Sequence, residues 1–79
     1  MVPKLDMQKF GERIAQARSQ RGLTQQELAV RTGIHQPSLA HLEKGRQAAV
    51  RADTVMALAR GLEVSADYLL GLSEEAEAA

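Results

Sequence analysis

The side chains best suited to chemistry lie between residues 35 and 41. Ser38 and His41 stand one helical turn apart, a spacing that could pair a nucleophile with its base. Such a pair needs an acid to orient the histidine and an oxyanion hole, and the sequence provides neither signal. His35 and His41 fail as metal ligands, because six residues of helix turn them to different faces and neither has a Cys or carboxylate companion. We therefore expect no enzyme, no metal site and no cofactor.

Composition restricts the remaining function classes. The chain has 79 residues and no cysteine, which excludes disulfides and thiolate zinc sites and favours one small domain in a reducing cytoplasm. One Phe and one Tyr are too few for a base-stacking surface that binds single strands or RNA. No apolar run is long enough for a signal peptide or a membrane span. These features predict a cytoplasmic protein without a membrane partner, for which duplex DNA is the best-suited nucleic acid.

The formal net charge is zero, which argues against nucleic-acid binding because phosphate neutralisation supplies much of the affinity. The distribution of charged residues along the sequence weakens that argument. Glu74, Glu75 and Glu77 lie near the end, so residues 1–72 hold ten basic and seven acidic side chains, a net charge of +3. We predict a folded domain over residues 1–72 and an acidic flexible tail over residues 73–79, which has little to bury beyond alanine. The tail is either a solvated end or a shield against non-specific DNA.

Apolar spacing and capping signals predict an all-α domain, and no segment alternates as a strand would. Thr24 and Glu27 form a capping box, and Gly33 supplies a tight turn. Ser65 is a candidate N-cap, while Gly61 and Glu63 mark the end of the fourth helix. Five helices are expected: about 6–20, 25–31, 36–44, a fourth from 52 or 53 to about 61–63, and 66–70.

The segment from Thr24 to Arg46 meets the packing demands of two helices that cross at a short turn. Ala29 is small where the helices touch, and Gly33 stands in the turn. Three apolar residues lock the second helix of the pair: Ile34, Leu39 and Leu42.

Four sequence blocks resemble the Cro/CI (XRE-type) phage-repressor helix-turn-helix family over about Phe10 to Leu72. They are Glu-Arg-Ile-Ala-Gln-Ala-Arg at 12–18, Leu-Thr-Gln-Gln-Glu-Leu-Ala at 23–29, Glu-Lys-Gly-Arg at 43–46 and Leu-Ala-Arg-Gly-Leu at 58–62. The resemblance implies a compact five-helix, lambda-repressor-like DNA-binding domain, with the helix-turn-helix at about residues 25–44.

The family's docking mode implies that the third helix, the recognition helix, enters the major groove with its N-terminal residues on base edges. A glutamine amide suits adenine, proline and alanine suit a thymine methyl, and histidine can donate to guanine. The spacing puts the base-reading candidates on one side of the helix. They are Gln36, Pro37, Ala40 and His41.

Further residues are assigned to the DNA backbone. By the same resemblance Gln25, at a helix N-terminus, clamps a phosphate. Arg46 and Ser38 are additional phosphate candidates. Lys44 and Arg51 are candidates too, but each is equally explained as a solvated cation near a helix end.

Arg18 and Glu43 are assigned to structure. In proteins of this kind the corresponding residues look like a paired bridge between the first helix and the end of the recognition helix. If the pair is substantially buried, removing one partner costs about 3 to 5 kcal/mol. Arg13 could serve in the bridge or on DNA.

The sequence differs from the family pattern in three places. The loop at residues 46–51 is about one residue longer than usual and lacks the customary proline, which puts its phosphate contacts in doubt. His35 replaces the usual Ser or Thr at the N-cap of the recognition helix, which predicts a weaker cap. Pro37 offers only apolar contact, which restricts the bases that the recognition helix can distinguish at that position.

The resulting hypothesis is a sequence-specific regulator of transcription, a homodimeric repressor that reads a palindromic operator with half-sites about one turn, ~34 Å, apart. The alternative is a protein-interaction module, such as an antitoxin that binds a partner protein and regulates its own gene, using residues 62–72 or the acidic tail. Four residues belong either to the dimer interface or to the core: Val64, Tyr68, Leu70 and Leu72.

Overall fold

A computed structural model describes residues 2–76. Within that range the predicted all-α architecture is confirmed. The helices are α1 (Met7–Gln20), α2 (Gln25–Thr32), α3 (Gln36–Glu43), α4 (Ala52–Leu62) and α5 (Ala66–Leu70). None of the helices in this range has the length and hydropathy needed to cross a membrane.

Side-chain caps start three of the helices. The Asp6 carboxylate accepts the Lys9 N–H at 3.1 Å and starts α1. At α2, Thr24 Oγ1 accepts the Glu27 N–H at 3.1 Å, and Glu27 Oε1 accepts the Thr24 N–H at 2.9 Å, so the predicted capping box is present. Hydrogen bonding of the Glu27 carboxylate, first by the Thr24 backbone N–H and then by the Thr24 side chain, holds the pKa of Glu27 below its usual value. Ser65 starts α5 by accepting the Tyr68 N–H at 3.0 Å.

The start of α3 is built differently. His35 occupies the N-cap and its side chain makes no capping hydrogen bond, as the weaker-cap prediction required. Pro37 lies in the first turn, where backbone N–H groups have no intrahelical partner, so its missing N–H does not interrupt the helix. The first regular bond of this turn runs from the Leu39 N–H to the His35 carbonyl at 3.0 Å.

One hydrophobic core joins all five helices. Burying each large apolar side chain stabilises the folded state by about 1.5–3 kcal/mol. A domain of this size depends on such burial because it hides only a modest fraction of its surface. Eight large side chains are fully buried: Phe10, Ile14, Leu28, Leu39, Leu42, Leu58, Leu62 and Leu69.

Two glycines permit the close approach of α1 to the end of α3. A Cβ atom on Gly11 would overlap the Leu42 carbonyl oxygen and lie 2.7 Å from the Glu43 carbonyl oxygen. Gly45 has a φ of 67°, and a Cβ there would lie 2.7 Å from the Gln8 Cα. Any larger residue at position 11 would therefore push α1 away from α3.

Gly61 and Glu63 mark the end of α4, as predicted, and Gly61 also has a packing role. The helix continues to Leu62, and the left-handed C-cap is Glu63, with a φ of 56°. A Cβ on Gly61 would lie 2.7 Å from the Thr32 Cγ2, so this glycine lets α4 approach α2. The left-handed residue turns the chain inward, and Val64 enters the core.

The first part of the predicted tail makes contacts that we did not expect. The Ser65 N–H donates to the Ala76 carbonyl at 2.7 Å, and Ser65 Oγ donates to the Glu75 carbonyl at 3.2 Å. Ala76 packs against the core. An alanine methyl group and two backbone acceptors thus suffice to bring residues 75–76 against the start of α5; residues 77–79 lie outside the described range.

Candidate nucleic-acid interface

The candidate interface is built on α2, the turn at Gly33 and α3. Gly33 has a φ of 74°, a left-handed conformation that glycine adopts without strain, and its N–H caps the Ala29 carbonyl at 2.9 Å. Ala29 is buried where the two helices meet, and Leu39 and Leu42 anchor α3 in the core. One side of α3 is thereby fixed, and the opposite side is left to solvent.

The four base-reading candidates lie on that opposite side. Gln36, Pro37 and His41 are exposed, and Ala40 is half-buried. The exposed stripe begins at the first turn of α3, where the chain carries no capping side chain. The arrangement presents an amide, an apolar ring and an imidazole to a surface that approaches the N-terminal half of the helix.

Among the basic phosphate candidates, Lys44 and Arg46 make no ion pair within the described range. Lys44 and Arg46 are exposed and follow α3 directly, and Ser38 is half-buried in its first half. Arg51 differs, because its guanidinium lies 3.7 Å from Asp53 and both side chains are largely exposed. The neighbouring carboxylate offsets the charge that Arg51 would offer to DNA.

Arg18 and Glu43 form a two-pronged ion pair between α1 and the end of α3. Arg18 Nε donates to Glu43 Oε2 at 2.8 Å, and Arg18 Nη2 donates to Glu43 Oε1 at 3.0 Å. The third arm of the guanidinium donates to the Leu23 carbonyl at 2.8 Å. The side chain of Glu43 is 6% exposed and that of Arg18 is 21% exposed. Hydrogen bonding to Glu43 raises the pKa of Arg18.

Sequence reasoning missed the hydrogen bonds of Gln25. Its Nε2 donates to Glu43 Oε1 at 3.1 Å, and its Oε1 accepts from Gln36 Nε2 at 3.1 Å. The residue assigned to phosphate therefore also connects the ion pair to the first base-reading candidate. We call Arg18, Glu43, Gln25 and Gln36 the amide chain. No local pattern reveals it, because its members come from three different helices.

Two further arginines hold the scaffold together away from α3. Arg21 donates to the carbonyl oxygens of Leu62 and Glu63, at 2.9 and 2.7 Å, and so links the end of α1 to the end of α4. Arg31 donates to the Gly61 carbonyl at 3.2 Å. Both guanidinium groups meet helix C-terminal carbonyls, which attract cations. These residues account for basic side chains that composition alone would count toward DNA.

A second surface feature lies on α4, α5 and the segments that precede α1 and α4. It is a groove of about 390 Å³, which we call the apolar groove. Met56, which contributes to it, is 49% exposed. Its apolar lining includes Leu5, Val50, Val55, Met56, Ala59 and Leu70.

Of the residues predicted for either a dimer interface or the core, Val64 belongs to the core at 5% exposure. Its assignment to an interface is wrong, because the left-handed Glu63 directs the chain inward there. Tyr68 and Leu70 are half-buried, and Leu72 is 75% exposed. Within residues 2–76, no three His, Cys, Asp or Glu side chains are grouped as a metal site would require.

The family model described as helix-turn-helix matches residues 14–69 of this chain. The match includes α2 and α3 entirely and ends within α5. Among curated proteins, the chain is 38% identical over 72 residues to the uncharacterized HTH-type transcriptional regulator y4dJ of Sinorhizobium fredii. This alignment covers 90% of this chain and 92% of the relative.

Solved structures share the fold. The restriction-modification controller protein C.AhdI from Aeromonas hydrophila superposes with a TM-score of 0.77 and 29% identity, over 84% of this chain and 98% of that one. The P22 c2 repressor protein, solved with synthetic operator 9T, gives a TM-score of 0.73 and 26% identity, over 81% of this chain and 96% of that one. The resemblance seen in the sequence is confirmed, and the chain belongs to the helix-turn-helix family of the Cro/CI type.

Proposed function

We propose that this helix-turn-helix protein is a regulator of transcription that binds duplex DNA in a sequence-specific manner, with α3 in the major groove. The observation that carries the proposal is the division of α3 into a buried apolar side and an exposed side that starts with Gln36. An α-helix fits the width of the major groove, where each base pair presents a distinct set of donors and acceptors. Similarity to a repressor solved with its operator supports this docking mode.

In this proposal the exposed stripe reads base edges. Gln36 pairs with adenine through its amide, and His41 donates to guanine. Pro37 and Ala40 have no polar side-chain group, so they contact a thymine methyl group. Since Pro37 and Ala40 discriminate by shape alone, most of the hydrogen-bonded readout rests on Gln36 and His41.

Phosphate contacts hold the helix in register. The first backbone N–H groups of α2, at Gln25 and Gln26, have no intrahelical acceptor and carry the positive end of the helix dipole. The second N–H of the Gln25 side chain is also free for an anion within the described range. Lys44, Arg46 and Ser38 add contacts around α3, whereas Arg51 contributes less because of Asp53.

We further propose that the protein acts as a homodimer through the apolar groove. One short recognition helix makes few base contacts, and a two-fold pair doubles them on a palindrome with half-sites ~34 Å apart. The occupant that suits the groove is a second copy, because Asp53, Arg60 and Asp67 place both signs of charge on its two helices. A dimer bound over a promoter represses by excluding other proteins from it.

Selection of bound duplexes from a randomised DNA pool tests the function. The expected result is a palindrome with half-sites about one helical turn apart. Gln36→Ala should relax the base preference at one position of each half-site, while Arg46→Ala should weaken binding to all sequences and reduce the slope of log affinity against log salt by about one unit. Absence of any enriched sequence would refute sequence-specific binding and favour a role that depends on a partner protein.

Sedimentation at high micromolar concentration tests the dimer. Met56→Glu places a charge in the apolar groove and should convert the dimer to a monomer without unfolding it, because this side chain is half exposed in the single chain. Val30→Glu is the matched control, since Val30 is 79% exposed on α2 and does not line the groove. A monomeric mass for the unaltered protein would refute the dimer.

A further inference from the structure

The amide chain connects a partly buried ion pair to the first base-reading candidate. Arg18 meets both carboxylate oxygens of Glu43, Glu43 Oε1 accepts from Gln25 at 3.1 Å, and Gln25 Oε1 accepts from Gln36 at 3.1 Å. Three helices contribute to it: α1, α2 and both ends of α3. Arg18, Glu43 and Gln25 are each partly buried, and Gln36, at the end of the amide chain, is exposed.

The chemistry of the Glu43 carboxylate gives this chain a direction. An ionised carboxylate only accepts hydrogen bonds, whereas an amide side chain has one accepting end and one donating end. Gln25 must therefore turn its NH₂ group toward Glu43, which leaves its carbonyl oxygen toward α3. Gln36 must in turn direct one N–H to that oxygen. The orientation of each amide is thus decided by the group before it.

We infer that Glu43 is a positioning residue for base recognition, and that its carboxylate determines which atoms of the Gln36 amide face DNA. The inference rests on the proposed function. In the native direction the carbonyl oxygen and the second N–H of Gln36 stay free within the described range. That pair of groups complements adenine, which offers an acceptor at N7 and a donor at N6.

The opposite direction would select a different base. If Gln36 turned its carbonyl oxygen toward Gln25, both of its N–H groups would face the groove. Two donors complement guanine, whose major-groove edge offers two acceptors, N7 and O6. The orientation of the Gln36 amide therefore determines whether adenine or guanine is preferred. Glu43 sets that orientation through two successive hydrogen bonds without contacting DNA.

Two variants test the direction of the hydrogen bonds in the amide chain. Glu43→Gln replaces a group that only accepts with one that can present either end to Gln25. Gln25→Lys replaces an amide with an ammonium group, which only donates and still pairs with the Glu43 carboxylate. An ammonium group at position 25 would require Gln36 to present its carbonyl oxygen inward, so this second variant forces the reversal that the first merely permits.

The control is Glu27→Gln. Like Glu43→Gln, it removes one carboxylate charge, but from a residue of α2 that is outside the amide chain. A glutamine at the third residue of the helix still serves a capping box. All proteins are checked for folding by circular dichroism and thermal melting. The operator sequence is obtained by selection with the unaltered protein. The base pair that Gln36 contacts is identified as the operator position at which Gln36→Ala loses its preference.

The measured quantity is the ratio of affinities for operators that carry adenine or guanine at that position. A uniform loss of phosphate contacts or of stability cancels in this ratio. We expect about a 10-fold preference for adenine in the unaltered protein and in Glu27→Gln. Glu43→Gln should reduce the preference to within about 2-fold, and Gln25→Lys should reverse it in favour of guanine.

Three results would decide against the inference. An adenine preference that persists unchanged in both folded variants would show that Glu43 does not set the amide direction, and would leave the proposed function intact. A guanine preference in the unaltered protein would contradict the assigned direction. No sequence preference in the unaltered protein would overturn the proposed function itself, and this inference with it.

Discussion

The two ends of α3 differ in how the molecule holds them. At the C-terminal end, Glu43 is paired with Arg18, and the backbone of α1 lies against the helix at Gly11. At the N-terminal end, His35 makes no side-chain cap, and Gln36 and Pro37 are exposed. The helix is therefore anchored at its C-terminal end and exposed at its N-terminal end. Stability is concentrated where base contacts are not expected, and the exposed end remains free for base recognition.

The largest expected effect comes from breaking the anchored end. Glu43→Ala leaves the Arg18 guanidinium largely buried without its partner and should lower the free energy of unfolding by about 3–5 kcal/mol. Chemical denaturation measures it. Arg51→Ala is the matched control from a solvent-exposed ion pair. A loss below about 1 kcal/mol in Glu43→Ala would mean that solvent screens the pair and that the anchor lies elsewhere.

Gly11→Ala should follow in size. The added methyl group overlaps a backbone carbonyl rather than a flexible side chain, so α1 must shift, at a cost of about 3 kcal/mol. Gly22→Ala is the control, since open space surrounds that position and only its φ of 69° opposes the change, by about 1 kcal/mol. Equal melting temperatures for the two variants would contradict the close contact of α1 with α3.

Substitutions at the N-caps of α2 and α3 should change the free energy of unfolding in opposite directions. Thr24→Ala removes the capping box of α2 and should cost about 1 kcal/mol. His35→Ser supplies the cap that α3 lacks and should stabilise the protein by about 0.5–1 kcal/mol. Thermal unfolding measures both. Destabilisation by His35→Ser would indicate that His35 holds the start of α3 in some other way.

The smallest effect is expected at the exposed Arg51–Asp53 pair. Asp53→Asn should change the free energy of unfolding by less than about 0.5 kcal/mol, because both side chains are mostly in solvent. In DNA binding the same variant should raise affinity about uniformly across sequences, since it frees Arg51 for a phosphate. Unchanged binding would assign Arg51 to solvent alone.

Local sequence patterns determined the helices and most of their ends. Thr24 with Glu27, Gly33 and Ser65 each act within a few residues, so their effect on the backbone can be read without knowing the fold. The exposed stripe of α3 follows equally from helical spacing, because opposite faces of one helix need no partner to be distinguished. The roles of these side chains on DNA remain proposals.

The contacts between helices could not be predicted from local sequence patterns. Gly11 and Gly61 look like ordinary helical glycines in the sequence, and their task is visible only when another helix lies against them. The sequence leaves Val64 open to an interface or to the core, and the left-handed Glu63 turns it into the core. Ala76 is a small side chain in an acidic segment, yet it packs against the core and its carbonyl accepts the Ser65 N–H.

The amide chain shows the same division at the candidate site. The pairing of Arg18 with Glu43 was expected from a family resemblance, whereas the continuation through Gln25 to Gln36 was not. Which side chains α3 exposes follows from the sequence alone, because helical periodicity is a local property. Tertiary structure decided how one of them is oriented, because hydrogen-bond direction depends on partners that are distant in sequence and meet only when the helices pack.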